Sequence, residues 1–194
     1  VWSDFPVNGP ELLLNGRTPG GAYYYLLWFI QLFIGNYDGL LNLILGLFLI
    51  SATALFFLAK QYFDLITAFA TTAIYVSGLS SLYSITSQLW NPGFLPIIFV
   101  ITSGLFLRIL IDRKLKYVPW LFLIISIGGQ FHVASYVLIL IVIPVFVTFK
   151  IQLGTRQWLI SLGSFILPLT PYVYAQVTNN FTDLLLIFDG LIER

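Results

Sequence analysis

The sequence predicts an all-α membrane protein, a polytopic bundle of transmembrane helices. Two observations support this fold class: the residues are 59% hydrophobic and only 9% charged, and the apolar residues fall in long stretches separated by short polar gaps. Soluble domains carry about 25% charged residues. So few charges cannot cover a water-facing surface, and we expect the solvent around this chain to be largely lipid.

The chain divides into a polar opening, an apolar body and a polar end. Residues 1–38 are predicted to form an outer loop that contains an interfacial helix at 22–35, residues 39–175 form the transmembrane bundle, and 176–194 form another outer loop. The chain opens on Val1 without a basic and apolar leader, so we expect an internal piece of a longer protein. The six predicted spans are 39–58, 63–83, 94–111, 117–130, 133–149 and 157–175.

The distribution of charge predicts which loops share a side of the membrane. The apolar stretch 117–149 is too long for one ordinary span. If it is a hairpin that turns at Gly128-Gly129, seven of the nine Lys and Arg residues lie on one side, with only Asp64 and Asp112 as acids. By the positive-inside rule that side is cytoplasmic. A single span over 117–149 would weaken the asymmetry, so the sequence favours six spans.

The segment from Ala22 to Gly35 is apolar but short for a crossing. It contains Tyr23-Tyr24-Tyr25 and Trp28, residue types that prefer the boundary between membrane and water. We expect it to lie along the outer interface as a helix. The alternative is a short, tilted crossing that would place residues 1–21 on the cytoplasmic side.

Several classes of chemistry find no support in the sequence. There is no glycine-rich phosphate loop and no nucleophile elbow. With one histidine and no cysteine, a metal site built by the protein is not expected. A basic stripe for nucleic acid is absent too, so we expect neither a nucleic-acid partner nor a metal, and no cofactor.

The candidate functional residues are polar groups near the predicted outer ends of spans. Gln130 and His132 interrupt the apolar stretch 117–149, and each either faces an outward cavity or hydrogen-bonds the turn and caps helix ends. Asn91 belongs to Trp90-Asn91-Pro92-Gly93, which is either part of a site or simply a turn with an interfacial anchor. Arg108 precedes Asp112 by four residues, a spacing that predicts a helix-end pair or snorkelling toward the cytoplasm.

Four segments, in order, resemble polyprenyl-phosphate-dependent membrane glycosyltransferases of the C-type superfamily. This superfamily includes the dolichyl-phosphate-mannose protein mannosyltransferases and the bacterial aminoarabinose transferases. The first segment is Gly9-Pro10 followed by Gly16-Arg17-Thr18-Pro19-Gly20-Gly21-Ala22-Tyr23-Tyr24-Tyr25. The others are Trp90-Asn91-Pro92-Gly93-Phe94-Leu95-Pro96, Gly128-Gly129-Gln130-Phe131-His132 and Asn179-Asn180-Phe181-Thr182.

The resemblance implies an inverting transfer of a sugar from a polyprenyl-phosphate donor to a lipid, glycan or protein acceptor. A carboxylate would serve as general base, and cationic or hydrogen-bonding groups would stabilise the leaving phosphate. Family members carry the acidic motif upstream of the position that Val1 occupies; Asp4 is only a fallback. The resemblance places Arg17, Tyr24, Asn91, Gln130 and His132 at the substrate site. It implies a cell membrane, such as a bacterial inner membrane, with the active side facing out.

Two other functions fit the same composition. A transporter or lipid flippase would use proline-broken helices, and Pro144, Pro168 and Pro171 do interrupt apolar stretches. However, the sequence contains no internal repeat and no carboxylate at the centre of a span. A non-catalytic membrane scaffold is the remaining alternative.

Overall fold

The computed structural model describes residues 8–11, 17–78, 91–182 and 185–186 of the chain. They belong to two compact units. The first, which we call the split unit, combines Val1–Trp28 with Val118–Arg194, and the second, the continuous unit, is Phe29–Tyr117. The chain leaves the split unit after Trp28 and returns to it at Val118, and the single bundle over 39–175 stays a prediction.

The described residues are predominantly helical, which confirms the helical character predicted from the sequence. Short 3-10 turns at Asn91–Phe94, Leu115–Tyr117, Val133–Tyr136 and Leu167–Leu169 connect several of the helices. The α-helices are α1 (Ala22–Gln31), α2 (Tyr37–Tyr62), α3 (Leu65–Ser77), α4 (Leu95–Leu110), α5 (Val118–Phe131), α6 (Val137–Thr148), α7 (Thr155–Ile166) and α8 (Thr170–Thr178).

A small β-ribbon precedes α1, in a region predicted to be only a loop. Strand β1 (Asn8–Glu11) pairs antiparallel with β2 (Arg17–Pro19), and the register shifts between Asn8 and Glu11. Both strands are short and carry turn formers, so no alternation of apolar and polar residues marked them in the sequence. The ribbon is a small addition to a fold whose described residues are otherwise helical.

Side-chain caps begin the two helices that pack together in the continuous unit. Asn36 Oδ1 accepts from the Gly39 N–H at 2.6 Å at the start of α2, and Asp64 Oδ1 accepts from the Thr67 N–H at 2.7 Å at the start of α3. Both residue types are favoured at this position because they satisfy amide groups that have no partner within the helix. Asp64, which the sequence placed inside the span 63–83, is therefore the N-cap of α3, and the helix begins at Leu65.

The interior of the continuous unit is aliphatic and aromatic. Ile44 on α2 and Ile109 on α4 are fully buried. The ring of Phe48 on α2 stacks on that of Tyr75 on α3, with centroids 4.9 Å apart. A pair of stacked rings stabilises the fold beyond the contribution from burying the surface area of the two rings. They fix the contact between α2 and α3 independently of any charged group.

In the split unit, α5 and α7 pack together. Leu121 and Ile125 on α5 are fully buried. Phe122 makes edge-to-face contacts with Trp158 and Phe165 of α7, at centroid distances of 6.2 and 6.4 Å. The helix α5 therefore supplies the centre of this unit's core.

The outward surfaces of both units are apolar. Ile66 and Ile74 on α3 are 81% and 74% exposed, and Leu140 and Val147 on α6 are 71% and 73% exposed. Soluble proteins do not cover themselves with large aliphatic groups in this way. The exposed faces therefore suit a lipid environment.

Two helical segments are long and apolar enough to cross a membrane, Tyr37–Tyr62 and Thr155–Thr178. Only 28% and 17% of their most apolar stretches are buried within the protein, so they differ from the core helices of soluble domains. This indicates membrane association. The other apolar helices are shorter than a span requires, so the six spans remain a prediction; they are Leu65–Ser77, Leu95–Leu110, Leu115–Phe131 and Val133–Thr148.

Candidate functional site

Four of the predicted substrate-binding residues belong to the split unit. Gln130 lies near the end of α5 and His132 directly follows that helix, while Tyr24 is exposed on α1 and Arg17 opens β2. Asn91 begins a 3-10 turn in the continuous unit. The structure describes the backbone but not the side chains of Arg17 and Asn91, and Asp4 and Trp90 lie outside the described residues.

The helix α5 continues through the glycine pair that was predicted to form the hairpin turn. It ends at Phe131, and the chain breaks at His132, which has an extended backbone. Gly129 is required in the helix because the ring of Tyr136 lies directly against it, where any Cβ would overlap the ring. The prediction of a turn at Gly128-Gly129 was therefore wrong: this glycine serves close packing.

Gln130 is buried and acts as a cross-link between helices. Its Nε2 donates to the carbonyl of Pro168 at 2.7 Å, and only 6% of the residue is exposed. One turn earlier on the same face of α5, the Ser126 hydroxyl donates to the carbonyl of Phe165 at 2.6 Å. The two donors are four residues apart, and the two acceptors are three apart.

Proline spacing removes one backbone donor that each of these two carbonyls could otherwise use. In a 3-10 turn a carbonyl accepts from the N–H three residues later. For Phe165 and Pro168 those positions are Pro168 and Pro171, and proline has no N–H. In an apolar environment side chains of a neighbouring helix take over the lost bonds. Ser126 and Gln130 supply such donors here. Of these two residues, only Gln130 was singled out from the sequence.

Two of the segments that carry the family resemblance contact each other at Gln130. Gly20 has φ +90, a conformation suited to glycine, and the Gln130 amide lies where a side chain at position 20 would be. Beside this contact the rings of Tyr23 and Phe131 meet edge to face, with centroids 6.4 Å apart. Residues more than a hundred positions apart in the sequence are thereby brought together.

His132 caps the 3-10 turn that follows α5. Its Nδ1 accepts from the Ala134 N–H at 3.2 Å, so the proton of the neutral imidazole must be on Nε2. Partial burial lowers the pKa of this histidine, which lies outside the predicted spans. At neutral pH the residue is thus an uncharged hydrogen-bond donor through Nε2. This is the capping role weighed for it in the sequence, and it leaves Nε2 available to a ligand.

Further buried polar groups lie in the split unit that the sequence did not single out. Ser135 is fully buried, and Tyr172 and Gln176 are 6% and 2% exposed. Tyr172 and Gln176 are one helical turn apart on α8, a spacing that places them on one face. A search for polar residues four apart in an apolar helix would have found them.

A second polar cluster lies at one end of the continuous unit. Asp112 Oδ2 accepts from the Tyr62 hydroxyl at 3.0 Å and from Lys114 Nζ at 3.2 Å. Arg108 Nη1 donates to the Tyr117 hydroxyl at 3.2 Å, so its interaction with Asp112, one of the two explanations weighed for it, is through charge and not through a hydrogen bond. The hydrogen bond from Lys114 holds the pKa of Asp112 below its usual range, with smaller contributions from Tyr62 and from the charge of Arg108.

Neither cluster resembles a metal site. Among the described ranges no group of three or more His, Cys, Asp or Glu residues could hold a metal ion. No protein family matches the sequence, and no curated protein or solved structure is significantly similar to it.

Proposed function

We propose that this chain is part of a membrane glycosyltransferase that moves a sugar from a polyprenyl-phosphate donor to an acceptor on the non-cytoplasmic side. The observation that carries the proposal is the contact between the segments Gly16–Leu27 and Gly128–His132. These segments resemble glycosyltransferase motifs and lie far apart in the sequence, yet Gly20 packs on Gln130 and Tyr23 on Phe131. A shared site explains why both patterns occur in one chain.

The residues have distinct roles in this proposal. Gln130 positions the end of α5 through its bond to the Pro168 carbonyl, and at 6% exposure it offers a substrate little surface. His132 donates through Nε2–H to an oxygen of the leaving phosphate, where negative charge develops. Tyr24 extends the same surface, and Arg17 and Asn91 are assigned to the substrate site by the resemblance alone. The resemblance assigns the general base to a carboxylate, with Asp4 as the fallback.

The proposed placement in the bilayer has six spans, with the basic loops in the cytoplasm. The helix α1 lies along the outer interface. Its 10 residues extend about 15 Å, roughly half the hydrocarbon thickness. Its Trp28 and Phe29 are about half exposed, at 47% and 54%. An aromatic helix of this length fits the boundary between lipid and water better than a crossing.

The activity is tested with the full-length protein that contains this chain, reconstituted in proteoliposomes with a radiolabelled polyprenyl-phosphate sugar. The informative variant is His132→Asn, because asparagine keeps the capping bond but lacks the imidazole Nε2. We expect sugar transfer to fall about 100-fold, the effect of removing one donor to a developing charge. The control is Tyr174→Phe, at an exposed side chain.

Two results would contradict parts of this proposal. Full activity of His132→Asn would remove the role of His132 but not the reaction. No transfer of label by the wild-type protein to lipid, glycan or protein acceptors, with the donor intact at the end, would remove the glycosyltransferase itself.

The placement is tested separately by cysteine labelling, since the chain contains no cysteine. We expect Lys114→Cys and Lys150→Cys to react with an impermeant maleimide only after the cells are opened. Gly35→Cys and Thr178→Cys should react in intact cells. Reaction of Lys150→Cys in intact cells would show that 117–149 is a single span.

A transporter or lipid flippase is the second candidate, and one structural feature favours it. The helical segment Thr155–Thr178 is interrupted by the 3-10 turn Leu167–Leu169, and such broken helices form substrate sites in transporters. Movement of a fluorescent polyprenyl-phosphate lipid across the proteoliposome membrane without sugar transfer would support this function and contradict ours.

A further inference from the structure

Five cations gather at the end of the continuous unit where α2 and α4 end. The hydrogen bond from Tyr62 to Asp112 joins these ends, which lie 50 residues apart in the sequence. The residues at this end are Lys60, Arg108, Arg113, Lys114 and Lys116, which we call the basic end.

The acidic residues at the basic end are already engaged within the protein. Asp64 caps α3 through the Thr67 N–H at 2.7 Å, and Asp112 accepts from Tyr62 and Lys114. These are the two acids among residues 60–116, against five cations, so the end carries an excess of positive charge. An excess of this kind attracts anions to a surface.

A tight turn holds the cations in place. Arg113 has φ 56, in the left-handed region, and the Lys114 N–H returns to the Arg108 carbonyl at 3.1 Å. The side chains of Arg113, Lys114 and Lys116 are exposed. The Tyr117 ring supports two cations, Arg108 and Lys116, each 5.3 Å from its centroid. The group is therefore partly organised before any ligand arrives.

The surroundings of the basic end are apolar, which points to a lipid rather than a soluble anion. Phe63, Leu65 and Ile66 at the junction of α2 and α3 are 56%, 51% and 81% exposed, and Ile111 beside the cations is 52% exposed. A phosphodiester fits the guanidinium and ammonium donors. Acyl chains fit the large aliphatic and aromatic groups next to them.

We infer that the basic end binds the headgroup phosphate of an anionic lipid, with the acyl chains against the exposed apolar residues of α3 and α4. The inference depends on the membrane placement proposed above but not on sugar transfer. Basic clusters that adjoin a membrane helix recognise anionic lipids in this way. The bound lipid would anchor this end of the unit at the cytoplasmic leaflet.

The test measures the association of spin-labelled phosphatidylglycerol, relative to spin-labelled phosphatidylcholine, with the full-length protein in phosphatidylcholine vesicles. Lys114→Gln with Lys116→Gln should lower the relative association constant roughly fivefold for each charge removed. Lys114→Arg with Lys116→Arg should retain it. The matched control, Lys150→Gln with Arg156→Gln, removes two charges from the split unit and should have a clearly smaller effect.

Three outcomes would overturn the inference. The first is an unchanged preference in the Lys114→Gln, Lys116→Gln variant, and the second is an equal loss in the control. The third is displacement of the labelled lipid by millimolar inorganic phosphate, which would assign the cations to a soluble anion. Sugar transfer is measured on the same samples, so loss of lipid preference and absence of transferase activity are separate results.

Discussion

The two units use polar side chains in different places. In the split unit Ser126 and Gln130 donate hydrogen bonds in the middle of a helix contact. Their acceptors are the Phe165 carbonyl in the last turn of α7 and the Pro168 carbonyl in the 3-10 turn that follows α7. In the continuous unit the contact between α2 and α3 is aromatic, and the polar network of Tyr62, Asp112 and Lys114 lies at the helix ends.

Proline positions account for this difference. In the continuous unit Pro96 lies in the first turn of α4, where a missing N–H removes no helical hydrogen bond. In the split unit Pro168 and Pro171 lie inside the helical segment 155–178, where each removes a backbone N–H, and α5 supplies side-chain donors to this segment. An apolar helix contact therefore contains polar donors where the neighbouring backbone is broken, and can dispense with them where it is continuous.

The largest effect should come from Gly129→Ala in the split unit. The added methyl group would overlap the ring of Tyr136, and overpacking of this kind costs about 1–3 kcal/mol. The matched control is Gly163→Ala on α7, where nothing lies within van der Waals reach of a new Cβ. The measurement is the free energy of unfolding in mixed detergent micelles; equal losses in both variants would mean that Tyr136 does not pack on α5.

Next in size should be Ser126→Ala, which leaves the Phe165 carbonyl without its donor from α5. We expect a loss of about 1 kcal/mol in the free energy of unfolding. Ser161→Ala is the control: this serine is equally buried, but its hydroxyl donates to the Gln157 carbonyl of its own helix at 2.8 Å. A control loss as large as that of Ser126→Ala would contradict the special role of the bond between helices.

In the continuous unit Tyr62→Phe should cost less than Ser126→Ala. The lost hydrogen bond joins groups at a solvent-accessible helix end, where water can replace the hydroxyl. The variant should also raise the pKa of Asp112, since the tyrosine stabilises its ionised form. Thermal unfolding and carboxyl titration by NMR in micelles measure the two effects. A stability loss above that of Ser126→Ala would place the network among the main supports of the fold.

The smallest expected effects are changes of stability with pH, which should fall in different pH ranges for the two units. Burial lowers the pKa of His132, so the folded protein resists its protonation and loses stability as pH falls below about 6.5, the ordinary histidine value. The lowered pKa of Asp112 stabilises the fold above about 3.9 and ceases to do so as pH falls below that value. In an unfolding titration, His132→Asn should remove the first change and leave the second. Persistence of the first would assign it to another group.

Much of the helical layout could be predicted because lipid-compatible helices are marked by long apolar stretches. The boundaries at Tyr37, Leu95 and Thr155 lie close to the predicted starts of spans at 39, 94 and 157. The β-ribbon could not be predicted, since its strands lack any periodic pattern. The turn at Gly128-Gly129 was misplaced because glycine marks both turns and close helix contacts, and the sequence alone does not separate the two.

The candidate site was predictable only as a set of residue types. Gln130 and His132 were conspicuous as polar residues in an apolar stretch, but no pattern paired them with Pro168 and Ala134. Ser126 escaped notice because a serine in an apolar helix usually bonds to its own backbone. The two hydrogen bonds from α5 to the segment 155–178 form only because these helices are neighbours in the fold.

The sequence by itself determined that the chain is helical and apolar, where its charges lie, and that it contains no thiol chemistry. The positions of the charges and the absence of cysteine are read directly from the sequence. The preference of the long apolar stretches for lipid follows from the transfer of their side chains out of water. Only the tertiary structure decided that Gln130 supports Pro168, that Gly129 is packed under Tyr136, and that Arg108 hydrogen-bonds to Tyr117. Hydrogen bonds and close packing act over a few ångströms, so their partners depend on the spatial arrangement of distant segments.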